Sequence, residues 1–202
     1  RRGASFRWIS AAALLLVGAA VVWWMTRPPA IGHITADANC VGINRVLDWK
    51  TIRAGRRLTL ERGVLEIETD RGVRIVLEGP CDCTFQTAQR VHMSSGRLFA
   101  DVGEAGRGFT VAVSGGEIVD FGTQFGVDVQ DAAIEVHVFE GRVNAALEGN
   151  GVDNPSEVRA GSAVAIDTNA KAITAIDLKH KFAQQATPYV EHFSKYSSPL
   201  AG

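Results

Sequence analysis

This 202-residue chain has little cysteine (three), little histidine (five) and no run of clustered basic residues. Three cysteines are too few for a small disulfide scaffold, and six prolines in a chain that is 46% hydrophobic exclude collagen and disorder. The histidines, at 33, 92, 137, 180 and 192, are scattered, and Ser94, Ser95, Ser114 and Ser162 sit in turns, none of them in a G-x-S-x-G elbow. No nucleophile, base and orienting carboxylate converge, so the sequence reads as a non-enzyme without a catalytic residue. Gly103, Gly106 and Gly108 form a glycine-rich loop, but no helix follows to supply N–H groups to a phosphate, and no cofactor site is expected. The net charge of −1 is a cancellation: Arg1, Arg2, Arg7 and Arg27 lie in the first 27 residues, which hold no Asp or Glu. Without them 21 − 4 = 17 basic residues face 22 acidic ones, a body at −5. Such a body lacks the Lys/Arg density that displaces counterions from nucleic acid.

One long apolar run is present. Trp8 to Met25 reads WISAAALLLVGAAVVWWM, uncharged throughout, with only Ser10 and Gly18 outside the apolar set. As a helix it would be about 27 Å long, close to a hydrocarbon core of about 30 Å. Trp8, Trp23 and Trp24 mark its ends, where indole rings favour the headgroup layer, and Pro28 and Pro29 stop it. A cleaved signal peptide would carry a shorter apolar stretch and a small-residue exit. The expectation is one membrane-spanning helix over 8–25, anchored by Arg7, Trp8, Trp23, Trp24 and Arg27. Three arginines before the run and one after it place the N-terminus in the cytoplasm and residues after about 28 outside. The division expected is a basic stub at 1–7, the span at 8–25, a linker with the first strands at 26–54, a β domain at 55–176, and a short helix with a linker tail at 177–202. The opening Arg-Arg without Met suggests a fragment whose cytoplasmic part is missing.

Cys40, Cys81 and Cys83 would then face an oxidising compartment. Cys81 and Cys83 are two apart, on one face of a strand, and a bridge between them would be strained. A disulfide from Cys40 to one of them is therefore a possible pairing, with plain buried thiols as the alternative. Cys81, Cys83 and His92 do not have the spacing of a zinc site. Asp128, Asp131 and Glu135 read as a solvated acidic loop rather than a cation site.

After Pro29 short alternating runs are punctuated by glycine. Strands are predicted at 58–60, 64–69, 73–78, 91–93, 97–102, 109–113, 117–121, 125–129, 134–139, 143–147, 164–167 and 172–176. Turn chemistry fills the gaps, including Gly79-Pro80, Ser95-Gly96 and Glu140-Gly141. The fold class is all-β, either a solenoid of irregular rungs or a sandwich, preceded by one transmembrane helix and followed by a short C-terminal helix. His137 alternates with Val136 and Val138, which places it on the outer face of its strand.

Residues 55–168 carry a combination of short motifs. Gly72 precedes a Val-Arg-Ile-Val-Leu strand; Ser95-Gly96-Arg97-Leu98 and Phe109-Thr110-Val111 follow. The Asp120-Phe121-Gly122-Thr123-Gln124-Phe125 bend, the Glu140-Gly141-Arg142-Val143 hairpin and Arg159-Ala160-Gly161 complete the set. Together they resemble the periplasmic domain of FecR-like proteins, transmembrane anti-sigma regulators. The residues carrying the likeness, Asp120, Phe121, Gly122, Thr123, Phe125, Glu140, Gly141, Val143 and Gly161, read as structural. The resemblance implies a single-pass inner-membrane signal-transduction regulator whose β domain senses or docks a partner. Its partners would be an extracytoplasmic-function sigma factor, through a cytoplasmic part, and an envelope or outer-membrane protein, through the β domain. Cys81 and Cys83 stand where the family usually has apolar or small residues. A membrane-tethered structural or carbohydrate-binding module is the alternative from another class.

Overall fold

A computed structural model describes residues 16–19, 23, 27–42, 51–130, 133–148 and 155–178. Among the described residues fourteen strands are formed: β1 (Ala30–Val41), β2 (Thr51–Arg53), β3 (Arg56–Leu60), β4 (Arg62–Thr69), β5 (Val73–Thr87), β6 (Arg90–Val102), β7 (Thr110–Val113), β8 (Gly116–Asp120), β9 (Gln124–Gln130), β10 (Ala133–Glu140), β11 (Arg142–Leu147), β12 (Ser156–Arg159), β13 (Ser162–Asp167) and β14 (Ala172–Ile176). A 3₁₀ turn at Glu104–Gly106 links β6 to β7.

All fourteen belong to one hydrogen-bonded sheet with two wings joined through β5 and β6. The first wing runs β2-β1-β4-β5-β6-β9-β10-β13-β14, using the first half of β5 and the second half of β6. The second wing runs β3-β5-β6-β7-β8-β11-β12, using the other halves. Among the described strands only β6 and β7 pair in parallel, so these strands do not form a solenoid of parallel rungs. The β5–β6 ladder loses register between Glu78 and Asp82, beside Gly79, Pro80 and Gly96.

Alternation along each strand sends one set of side chains into a shared core. In the first wing Leu65, Leu77, Leu98, Val127 and Val136 lie opposite one another on successive strands, all buried. In the second wing Leu58, Cys83 and Met93 form such a row, and Val111, Ile118 and Ala145 another. These residues form one apolar cluster, so the two wings close on each other and neither buries its inner face alone.

The structure departs from the sequence reading in three places. Gly79-Pro80 and Ser95-Gly96 are bends within the continuous strands β5 and β6, not turns between shorter ones. β1 and β2 fall in the 26–54 segment expected to hold the first strands, whereas β12 was not among the predicted strands; the ladder of β1 to β4 shifts between Ile34 and Ala36, which interrupts its alternation. His137 is fully buried, although it lies on the outer face of the sheet. That face has its own apolar group, Val64, Val76 and Phe99 with Phe139 against them, so alternation assigned the face correctly and exposure wrongly.

Residues 16–19 and 23 are helical, and no helix among the described residues is long and apolar enough to cross a membrane. Most of the 8–25 run, including Trp8 and Trp24, lies outside the described residues, as do Arg7 and the predicted C-terminal helix beyond Leu178.

Gly96 has φ +99°, and a Cβ there would lie 2.5 Å from the Pro80 carbonyl oxygen and 2.6 Å from the Cys81 Cα. Gly96→Ala is therefore expected to destabilise the fold by about 1–3 kcal/mol in urea unfolding. Gly103→Ala, at φ −73° with nothing near the added methyl, is expected to stay within about 0.5 kcal/mol of the parent. Equal effects at the two positions would remove the bend at Gly96 as a constraint.

Candidate functional site

The motif residues 120–125, 140–143 and 161 converge on the corner between the wings. Strands β8, β11 and β12 belong to the second wing and β9, β10 and β13 to the first, so the chain crosses at 121–123, at 141 and at 160–161. Gly122 (φ +88°) and Gly141 (φ +73°) adopt left-handed backbone, and a Cβ on Gly141 would lie 2.5 Å from the Gly122 carbonyl oxygen. The crossings are bonded together. The Thr123 hydroxyl donates to the Arg142 carbonyl (2.7 Å), and the Phe121 N–H donates to the same oxygen (3.2 Å). The Ala160 N–H reaches the Gly141 carbonyl (3.0 Å), and the Gly161 N–H reaches that of Val138 (2.9 Å). Phe125 is buried in the core, whereas Phe121 is 38% exposed, with the Arg142 guanidinium 5.3 Å above its ring.

Asp120 sits at this corner, fully buried and opposite Val143. Its Oδ2 accepts the Gly122 N–H at 2.7 Å, which closes an Asx-type turn, while Oδ1 has no hydrogen-bond partner. Burial pushes its carboxyl above the ordinary carboxylate range; the Thr123 hydroxyl, the Gly122 and Phe121 N–H groups and the Arg107 charge oppose that shift. The motif is thus a latch in the fold.

The outer face of the first wing carries a row of charge. Val64, Glu78, Arg97, Asp128 and Glu135 lie opposite one another across β4, β5, β6, β9 and β10. Arg97 Nη1 donates to both Glu78 carboxylate oxygens, at 2.9 and 2.8 Å, and its Nε lies 3.7 Å from Asp128 Oδ2. The Gln130 amide donates to Asp128 at 3.1 Å, and His137 Nε2 lies 3.2 Å from Glu135 Oε2. Asp128 and Glu135, grouped with Asp131 as a solvated acidic loop, lie on paired strands that the predicted 125–129 and 134–139 segments already covered, and cross-strand register is what brings Arg97 to Asp128. Asp131 lies outside the described residues. Pro80, Arg97, Asp128 and Gln130 border an open concavity of about 310 Å³, and Arg90, His92, Glu117 and Leu147 border one of about 400 Å³ on the second wing.

All three cysteines are free thiols. Cys81 and Cys83 point into the core, whereas His92, opposite Thr84, is on the other face from Cys83 and Met93. Among the described residues no three His, Cys, Asp or Glu side chains are grouped to hold a metal. The Cys83 thiol is pushed well up by its hydrogen bond with Cys81 and by burial, and burial also raises that of half-buried Cys40, which donates to the Val64 carbonyl at 3.0 Å.

At the chain's entry the Arg27 guanidinium lies 3.4 Å above the Trp23 ring centroid. Arg53 Nη1 donates to the Pro28 carbonyl (3.1 Å) and the Ala54 N–H to that of Pro29 (3.0 Å), so the segment leaving the apolar run is bonded to β2. Sequence reasoning missed Arg53, which lies in a three-residue strand without periodicity.

Residues 82–144 match the family model described as FecR protein. No curated protein matches the chain. Two crystal structures of a candidate anti-sigma factor from Parabacteroides distasonis ATCC 8503, at 1.65 and 2.50 Å resolution, share the fold. Their TM-scores are 0.53 and 0.52 at 15% and 17% identity; each alignment covers 67% of this chain and 64% of the other.

Because the native state holds the Asp120 proton more tightly than the unfolded chain does, the stability linked to that proton is complete below the unfolded value of about 3.9. It is lost as pH rises through the raised native value. Asp120→Asn should therefore gain on the parent between acid and neutral pH in urea unfolding, and a difference independent of pH would rule out the raised carboxyl. For the thiols, maleimide should label Cys40 first in the native protein, then Cys81 and Cys83 only on denaturation; a native protein with Cys83 labelled first would contradict the burial described.

Proposed function

We propose that this chain, FecR-like in sequence and fold, is a single-pass inner-membrane regulator of the anti-sigma type. In this reading residues 8–25 span the membrane with the N-terminus in the cytoplasm, and the β domain stands in the periplasm. The observation that carries the proposal is the coincidence of the family segment with the corner of the fold. Residues 82–144 run from the second half of β5 into the first half of β11 and include the latch at Asp120, Gly122 and Gly141. The entry of the chain adds support, because the apolar run leads within a few residues into β1.

The mechanism is binding, not bond chemistry. An envelope or outer-membrane protein engages the β domain, the change alters how the domain holds its entry segment, and the span passes it to a cytoplasmic region that holds an extracytoplasmic-function sigma factor. Docking by strand addition suits the domain's outer strands β12 and β14, each paired on one side only among the described residues.

A phosphatase fused after Leu178 should be active in cells, and an inactive fusion would overturn the orientation. The full-length natural protein, captured from detergent-solubilised membranes, should bring a sigma factor with it. Recovery without any sigma factor would remove the anti-sigma part of the proposal and leave the topology standing.

A further inference from the structure

We infer that the end of the β domain at the chain's entry is a docking surface for anionic phospholipid headgroups. The inference rests on the reading of residues 8–25 as a membrane span and adds a second, electrostatic contact made by the folded domain. Arg27 to Ala30 is three residues of chain, at most about 10 Å when extended. Ala30 pairs with Arg53, whose guanidinium bonds the Pro28 carbonyl, so this end of the sheet is held near the end of the apolar run.

The residues grouped there are basic. The Gly55 N–H bonds the Phe85 carbonyl and Ala54 bonds Pro29, which places exposed Arg56 beside the entry. The Asp70 N–H bonds the Ile31 carbonyl, which brings in the 70–72 turn and exposed Arg71. Gly106 packs against that turn, a Cβ on it lying 3.5 Å from the Arg71 carbonyl oxygen, and exposed Arg107 follows it. The acids here are Asp70, Glu104, paired with Arg107 at 3.2 Å, and buried Asp120, which the Arg107 charge also reaches. Arg53, Arg56 and Arg71 have no carboxylate partner among the described residues.

Charge segregation supports the assignment. The body of the chain sums to −5, yet Arg53, Arg56, Arg71 and Arg107 against Asp70, Glu104 and Asp120 give +1, which leaves −6 for the rest. An anionic bilayer would therefore attract this end and repel the remainder, orienting the domain. Guanidinium groups also match phosphate through paired N–H donors. The contact distance is about a Debye length at physiological salt, so the attraction should be strong in dilute buffer and screened at high salt.

The test uses the full chain in nanodiscs of phosphatidylcholine alone or with one part in three phosphatidylglycerol, read by hydrogen exchange of peptides covering 53–57 and 70–72. Exchange there should slow about fivefold in the anionic discs relative to neutral ones, and the difference should vanish in high salt. It should also vanish in Arg56→Gln/Arg71→Gln, a pair of exposed positions that leaves the Arg53–Pro28 bond intact. Insertion into both discs with equal exchange would overturn the docking surface and leave the span standing. Failure to insert into either disc would overturn the span and the docking surface together.

Discussion

The corner where the chain passes between its two wings is the constraint on which the rest of the structure depends. Each wing exposes an apolar inner face, and the core forms only when the wings close on each other. Every route between them must therefore turn sharply while keeping its backbone groups bonded. At 121–123 and 141 left-handed glycines approach so closely that a side chain on Gly141 would strike the Gly122 carbonyl, while Thr123 and Phe121 share the Arg142 carbonyl. Asp120 closes the turn at the cost of a buried carboxylate oxygen without a partner. A buried, incompletely satisfied acid is tolerated where it fixes geometry that packing alone would leave loose.

That constraint explains what could be read from the sequence. The class, the positions of most strands and the structural role of the Asp120–Phe125 segment follow from local pattern, because alternation and turn residues act within a few positions. The bends in β5 and β6 were read as turns because Gly79-Pro80 and Ser95-Gly96 have turn chemistry; whether a chain reverses there or bends depends on the partner strand. The Glu78, Arg97, Asp128 and Glu135 row was invisible for the same reason, since its members come from four strands and only register aligns them. His137 shows the limit in one residue: its face is set locally, whereas its burial depends on neighbours from other strands.

The outer face of the first wing has a physical rationale of its own. Arg97 lies between Glu78 and Asp128, and Asp128 is also held by Gln130, so a nearly buried carboxylate is neutralised and hydrogen-bonded at once. Placing charge in the middle of a sheet face, next to Val64, Val76 and Phe99, keeps that face from becoming a continuous apolar patch. It also fixes register, because a slip of one residue would set these carboxylates against the core.

Register matters most at β1, the strand joined to the entry segment. Its positions Ile34, Ala36, Ala38 and Cys40 are only partly buried, and its ladder to β4 shifts between Ile34 and Ala36 and again between Ala38 and Val41. Strands with little buried side chain and interrupted pairing open at lower free energy than those in the core. The Pro28 and Pro29 carbonyls are nevertheless bonded to Arg53 and Ala54, so a displacement of the entry segment is carried into β1 and β2 before it reaches the latch. The part of the domain that yields most readily is therefore the part connected to the apolar run, while the corner that fixes the fold lies on strands that the entry does not load directly.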